Sequence, residues 1–226
     1  GDSSIILKTY TRESGAKSFI AGGLQNKKGV LRPALVQPLS QLNLVYYEKS
    51  KGGGLKRIKE ASVYQAYNQL FFDPVKSSLA MFLAEVLSHV LHEEEPEPQL
   101  FDFISELLML LDGLEAGIGN FHVAFLVNLT GHLGFKPEEP SGNSDYFDLL
   151  NGVYTSFEPP HFHFLDPTVT TQWKQLQNLK LDQLSTLKLS RESREKLLTA
   201  VLEYYRLHIK DFGQLRSLEV VKTLLS

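Results

Sequence analysis

His161 and His163, two residues apart with Glu158 and Asp166 close by, are the side chains of this chain whose type and spacing come nearest to a metal-binding or hydrolytic set. In an extended segment, residues i and i+2 project to one side and could share a metal ion. No third and fourth ligand recur at a recognisable spacing, and the segment is rich in aromatics, so core or loop histidines are the better reading and no metal is expected. His89 and His92 sit near the end of an amphipathic stretch, where positive charge is favoured at a helix C-terminus. The nucleotide-hydrolysing Gly-x-x-x-x-Gly-Lys-Ser/Thr, the Gly-x-Ser-x-Gly elbow and the His-Glu-x-x-His pair are all absent. Gly113 to Gly119 carries glycines between two helical stretches instead of after a strand, which is the wrong context for a dinucleotide site. The chain reads as one that is not an enzyme and takes no cofactor.

Binding chemistry is better supplied. Residues 1 to 60 hold eleven Lys and Arg against four Asp and Glu, a net of +7, while the rest hold twelve against twenty-two, a net of −10. A concentrated positive charge on a small domain is what a polyanion binder needs, because each phosphate it neutralises releases condensed counterions. Lys8, Arg12, Lys17, Lys27, Lys28, Arg32, Lys49, Lys51, Lys56, Arg57 and Lys59 are interleaved with Tyr10, Phe19, Tyr46 and Tyr47. Cations that track phosphates and rings that stack on bases are the two ingredients of a single-strand surface. Tyr46 continues the face of Leu42 and Leu44, so Tyr47 is the expected stacking platform of the two.

These residues are positioned by strands. Ser4 to Tyr10 and Ala16 to Ala21 flank a polar loop ending in Gly15, which suits a hairpin, and Gln41 to Glu48 alternates with period two. Gly52 to Gly54 turns the chain into a fourth strand, Leu55 to Gln65. The Gly-rich basic stretch from Gly22 to Arg32 reads as a mobile loop. Four short strands in about 65 residues predict a small barrel, one strand short of the five in an OB-fold.

From Asp73 the period becomes helical. Asp73-Pro74 and Asp166-Pro167 each place a capping carboxylate before a proline at the first helical position. The apolar spacing predicts helices from Val75 to near His92, through Leu100 to Leu111 after an acidic linker, over Asn120 to Gly134, from Asp166 through Leu176, over Ser190 to Ile209, and at Leu215 to Leu225. Residues 136 to 166 show no sustained period and read as an irregular excursion. The organisation is therefore α+β: a basic OB-fold over 1–70 and a helical domain over 71–226.

With 226 residues and 42% apolar content the chain can bury a real core. No cysteine is present, which excludes disulfides and thiolate metal sites. No apolar run approaches the roughly 20 residues that span a bilayer. With no apolar leader at its start, the chain reads as cytoplasmic, and Gly1 reads as a start partway into a longer product.

In order along the chain, these stretches resemble the bacterial DNA repair family RecO. The residues that carry the resemblance are Thr11-Arg12-Glu13-Ser14-Gly15-Ala16, the basic loop before Leu35-Val36-Gln37-Pro38-Leu39, Phe82 to Leu87 with the acidic Glu93 to Pro96 and Leu100-Phe101, Leu129 to Pro137 with Gly134-Phe135, and Ser190-Arg191-Glu192 through Leu218. The resemblance implies an N-terminal OB-fold on a C-terminal helical domain, in a bacterial, nucleoid-associated recombination mediator. Such a protein binds single- and double-stranded DNA, anneals complementary strands, and with RecR helps load RecA onto DNA coated by single-strand binding protein, whose acidic tail it also binds. Lys27, Lys28 and Arg32 are expected as the main phosphate contacts, with Lys8, Arg12, Lys17, Lys49, Lys51, Lys56 and Arg57 in support.

Two departures from the family stand out. Many members carry four zinc-binding cysteines after the segment matched by Gly134 to Pro137, and this chain has none. Zinc is therefore not expected, and Tyr146, Phe147, Tyr154, Phe157, Phe162 and Phe164 are expected to pack the excursion. Members also begin with a strand that aligns ahead of Gly1, which predicts an open barrel edge. The rival reading is a helical adaptor whose basic domain docks an acidic protein.

Overall fold

The computed structural model describes residues 4–22, 31–48, 55–92, 95–140 and 144–225, in two compact units, Gly1–Asp112 and Gly113–Ser226. In the first unit β1 (Ile5–Thr11) and β2 (Gly15–Ala21) form the expected hairpin, with Ile5 opposite Ala21 and Thr11 opposite Gly15. Its three-residue loop closes on Thr11, whose hydroxyl donates to the Gly15 carbonyl at 3.0 Å and accepts from the Ser14 amide at 3.1 Å. Gly15 adopts φ +61°, the left-handed conformation that such loops require and that glycine takes without steric cost.

β3 (Gln41–Tyr46) and β4 (Lys56–Gln65) pair antiparallel, and β4 runs parallel to β2 through Phe19 opposite Lys56 and Ile20 opposite Arg57. The order β1-β2-β4-β3 with this parallel pair is that of strands two, three, five and four of an OB-fold. Phe19, Ala21, Leu31 and Ile58 are buried at its centre, with Leu7, Leu44 and Tyr46 packed against them. Burying a ring such as Phe19 contributes about 2–3 kcal/mol, and Tyr46 packs on it at 4.9 Å between ring centroids.

Two helices complete the unit: α1 (Pro74–Val90) and α2 (Pro98–Gly113). Asp73 caps α1 by accepting from the Val75 and Lys76 amides at 2.8 and 2.9 Å, as the Asp-Pro pair predicts. Residues 71–112, which the sequence reading groups with the helical domain, pack in the same compact unit as the strands. The reason is polar as well as apolar. The Asp112 carboxylate at the end of α2 accepts from the amides of Asn68, Gln69 and Leu70 at 2.9, 2.7 and 2.7 Å, and these are the residues that leave β4. Burial raises the pKa of that carboxyl, but the three amides outweigh it and hold the group below its ordinary range. Buried Gln41 donates to the Tyr67 hydroxyl at 2.9 Å and accepts from the Ser105 hydroxyl at 2.7 Å, which joins β3 to α2.

The second unit contains α3 (Ile118–His132), α4 (Pro167–Asn178), α5 (Arg191–His208) and α6 (Leu218–Leu224). Asp166 caps α4 through the Thr168 and Val169 amides, and Ser190 caps α5 through the Ser193 amide. The stretch read as irregular contains a three-stranded sheet, β5 (Tyr146–Asp148), β6 (Val153–Thr155) and β7 (Phe164–Leu165), in the order β6-β5-β7. Strands of two and three residues are too short to leave a period in the sequence. Among the described residues no helix is long and apolar enough to cross a membrane.

Candidate nucleic-acid interface

The register of the OB-type sheet decides which basic residues share a surface. Ile6 pairs with Ile20, Ile20 with Arg57, and the amide of Tyr47 donates to the Arg57 carbonyl at 3.0 Å. Paired residues point to one face, so Ile6, Ile20 and Arg57 form a row across β1, β2 and β4, which Tyr47, just past the end of β3, continues. That face is the outer one, because Phe19, Ile58 and Tyr46, each one residue away in sequence, lie in or against the core. Ile6 is 62% and Tyr47 52% exposed, and Arg57 is exposed beside them. Tyr46 packs inward and Tyr47 outward, the division that the alternation of β3 predicts.

Lys8 lies on the same outer face, two residues from Ile6 and opposite Ser18. The Arg57 guanidinium lies over Gly22, where an added Cβ would come to 3.4 Å from Nη2. Lys27 and Lys28, and Lys49 and Lys51, lie outside the described residues. In sequence, residues 23–30 begin three positions after Ile20, and residues 49–54 lie between Tyr47 and Arg57. Arg32 is exposed and follows directly on buried Leu31, which anchors it to the core.

Of the remaining cations, Lys59 lies two residues beyond Arg57 with buried Ile58 between them, and the others are placed elsewhere. Lys17 shares the face of Phe19, opposite to that of Lys8. The Lys56 ammonium stands 5.0 Å from the Tyr46 ring centroid and 3.1 Å from a Glu48 carboxylate oxygen, and Lys59 pairs with Glu60 at 3.4 Å. Arg12, in the hairpin loop, makes a two-pronged bridge to Asp102 of α2, Nε and Nη2 donating to separate oxygens at 2.8 and 2.9 Å. Tyr64, 61% exposed near the end of β4, is an aromatic that the sequence reading did not single out. It sits at a register irregularity, where Leu42 pairs with Val63 but Gln41 with Gln65, so simple alternation does not predict its exposure.

The two histidines of the excursion, His161 and His163, each have a carboxylate of their own. His161 Nε2 lies 3.3 Å from Asp148 and His163 Nδ1 2.7 Å from Glu203. Among the described residues no three His, Asp or Glu gather as a metal-binding group. Nor does the excursion fit the zinc that the resemblance implies for cysteine-bearing relatives: the chain has no cysteine, and the interior there is aromatic. Phe147 stacks on Trp173 at 5.2 Å and meets Tyr154 at 4.7 Å, and Tyr146 meets Phe164 at 5.8 Å. Two of the six expected packing residues do the opposite. Phe157 is 84% and Phe162 98% exposed, because the loop between β6 and β7 turns them away from that cluster.

Comparison with known proteins gives the same reading for both halves. Residues 1–67 match the family described as "Recombination protein O N terminal" and residues 72–219 the one described as "Recombination protein O C terminal". Proteins named DNA repair protein RecO are similar over the whole chain. The one from Phocaeicola vulgatus is 35% identical over 226 residues, covering 100% of this chain and 93% of the relative. That of Bacteroides fragilis is 34% identical over 227 residues, 99% and 93%, and that of Porphyromonas gingivalis strain ATCC 33277 is 30% identical over 228, again 99% and 93%.

Proposed function

This chain belongs to the recombination protein O family, and on that footing we propose that it is a DNA-binding recombination mediator of DNA repair and not an enzyme. It binds and anneals single-stranded DNA and, with RecR, helps load RecA onto DNA coated by single-strand binding protein, in the bacterial cytoplasm at the nucleoid. The observation that carries this reading is the outward row of Ile6, Ile20, Arg57 and Tyr47, with Lys8 beside it. Tyr47 offers a base a ring, Arg57 and Lys8 take phosphates, and neither reads sequence, which suits a protein that must pair any two complementary strands. Lys27, Lys28 and Arg32 are the main phosphate contacts, and Lys49 and Lys51 extend them. Lys17 and Lys56 support the path from the other side of the sheet.

The test is fluorescence anisotropy of a labelled single strand at several salt concentrations. With four to six phosphates engaged, log K falls with log salt at a slope of roughly −3 to −4. Combined Lys27→Glu, Lys28→Glu and Arg32→Glu weakens binding tenfold or more. Salt-independent binding, or a triple variant that binds as well as the parent, contradicts the reading.

Phe157 and Phe162 favour an adaptor role alongside it, since large exposed aromatics on an ordered loop mark protein contacts. Through the helical unit the chain then engages RecR or the acidic tail of single-strand binding protein, and a tail peptide that competes with DNA would place the two on overlapping surfaces.

A further inference from the structure

We propose that Arg12 forms a second phosphodiester-binding subsite, apart from the outward row, and that Asp102 holds it closed in the free protein. The inference rests on the DNA-binding reading above. Arg12 sits in the loop between β1 and β2, six residues along β1 from Ile6. At about 3.3 Å per residue that is roughly 20 Å from the row. Its guanidinium presents Nε and Nη2 as a planar fork, and the two oxygens of Asp102 fill the fork at 2.8 and 2.9 Å. A phosphodiester offers the same fork two oxygens in nearly the same geometry. The carboxylate here stands where a phosphate would.

Both side chains are open to solvent, Arg12 at 57% and Asp102 at 46% exposure. An exposed ion pair is held weakly, whereas a polyanion arriving at Arg12 adds the release of its own counterions. Exchange of the carboxylate for a phosphate therefore needs only a rotamer change of Asp102, with no movement of the fold.

A purely structural role for the bridge is the rival explanation. α2 is tied to the sheet without it: Phe101 stacks on Tyr10 at 6.5 Å, Ser105 bonds Gln41, and Asp112 holds the amides that follow β4. A tether at Arg12 and Asp102 adds little to those. A latch at the tip of the hairpin lets a further stretch of DNA, or a second strand, join one already lying on the row.

The experiment is DNA binding by the full chain, by Asp102→Asn, by Arg12→Gln and by the double variant, with thermal melts of each. Asp102→Asn opens the fork, so single-strand affinity rises threefold or more and the salt slope steepens by about 0.7 for one added phosphate contact. Arg12→Gln added to it abolishes the gain. Salt-sensitive binding by the parent with an unchanged or weakened Asp102→Asn of normal melting temperature overturns the latch alone. Should Asp102→Asn melt early, the Arg12→Gln chain decides: an affinity and salt slope equal to the parent's overturn the latch, and a shallower slope supports it. No salt-sensitive binding by any of the four chains overturns the DNA-binding reading and the latch together.

Discussion

Tyr47, just past the end of β3, faces Arg57 of β4, joined to it by the 3.0 Å bond from the Tyr47 amide to the Arg57 carbonyl, with both side chains on the outer face of the sheet. A ring beside a guanidinium separates two contributions that single-strand binders combine. Tyr47→Ala is predicted to cost about 1–3 kcal/mol of single-strand binding at unchanged salt slope, since stacking carries no charge. Arg57→Gln is predicted to make the slope shallower by about 0.7 and to weaken single and double strands alike. Salt titrations of the two variants check this, and a steep slope change for Tyr47→Ala would count against the assignment.

Acid should destabilise the second unit before its carboxylates titrate. His122 is buried in α3, and burial, with a smaller contribution from the Arg194 charge, lowers its pKa from 6.5 to about 3. Its neutral form is the folded one, so the stability it contributes is complete above pH 6.5 and is lost as pH falls, because the unfolded chain takes up a proton that the folded chain refuses. Between pH 6.5 and 4.5 the loss is about 2 kcal/mol, since each full unit is worth 1.36 kcal/mol and the unfolded imidazole is already half protonated at pH 6.5. Urea unfolding at pH 7 and 4.5 should show that loss in the parent and not in His122→Gln. Equal losses in both chains would place the acid sensitivity elsewhere.

The excursion of the second unit should depend on one ring and ignore another. Phe147 is fully buried among Trp173, Tyr154 and Tyr204, so Phe147→Ala is predicted to cost about 3–5 kcal/mol. Phe162→Ser, at 98% exposure, is predicted to change stability by less than about 0.5 kcal/mol. Chemical denaturation of the two variants measures both. If Phe162→Ser were the more damaging, the loop would pack as its sequence suggests and not as found.

Much of this arrangement is legible in the sequence because it is local. The alternation of β3, the glycine that closes the first hairpin, and the two Asp-Pro caps each act within a few residues, and each appears where the sequence places it. The row of Ile6, Ile20, Arg57 and Tyr47 was not legible. It depends on the parallel pairing of β2 with β4, between residues 37 positions apart, and no local pattern reports that register. The engagement of Arg12 by Asp102 spans 90 positions and is equally silent. Composition marks Lys8 and Lys17 alike as cations of a basic domain, and only the core position of Phe19 shows that they face opposite ways. Six aromatics in one excursion read as six packing residues, yet four pack and Phe157 and Phe162 do not, because turn geometry and not hydrophobicity sets their direction.

If the outer face of the sheet is the path of the DNA, a base lies against Tyr47. Ultraviolet crosslinking of an iodouracil-substituted single strand to the full chain, with the adduct mapped by mass spectrometry, addresses that directly, since an exposed ring stacked on the base is the group that reacts. Adducts on Tyr47, lost in high salt, are the predicted result. Adducts confined to residues 113–226, with Tyr47 unmodified, would contradict it.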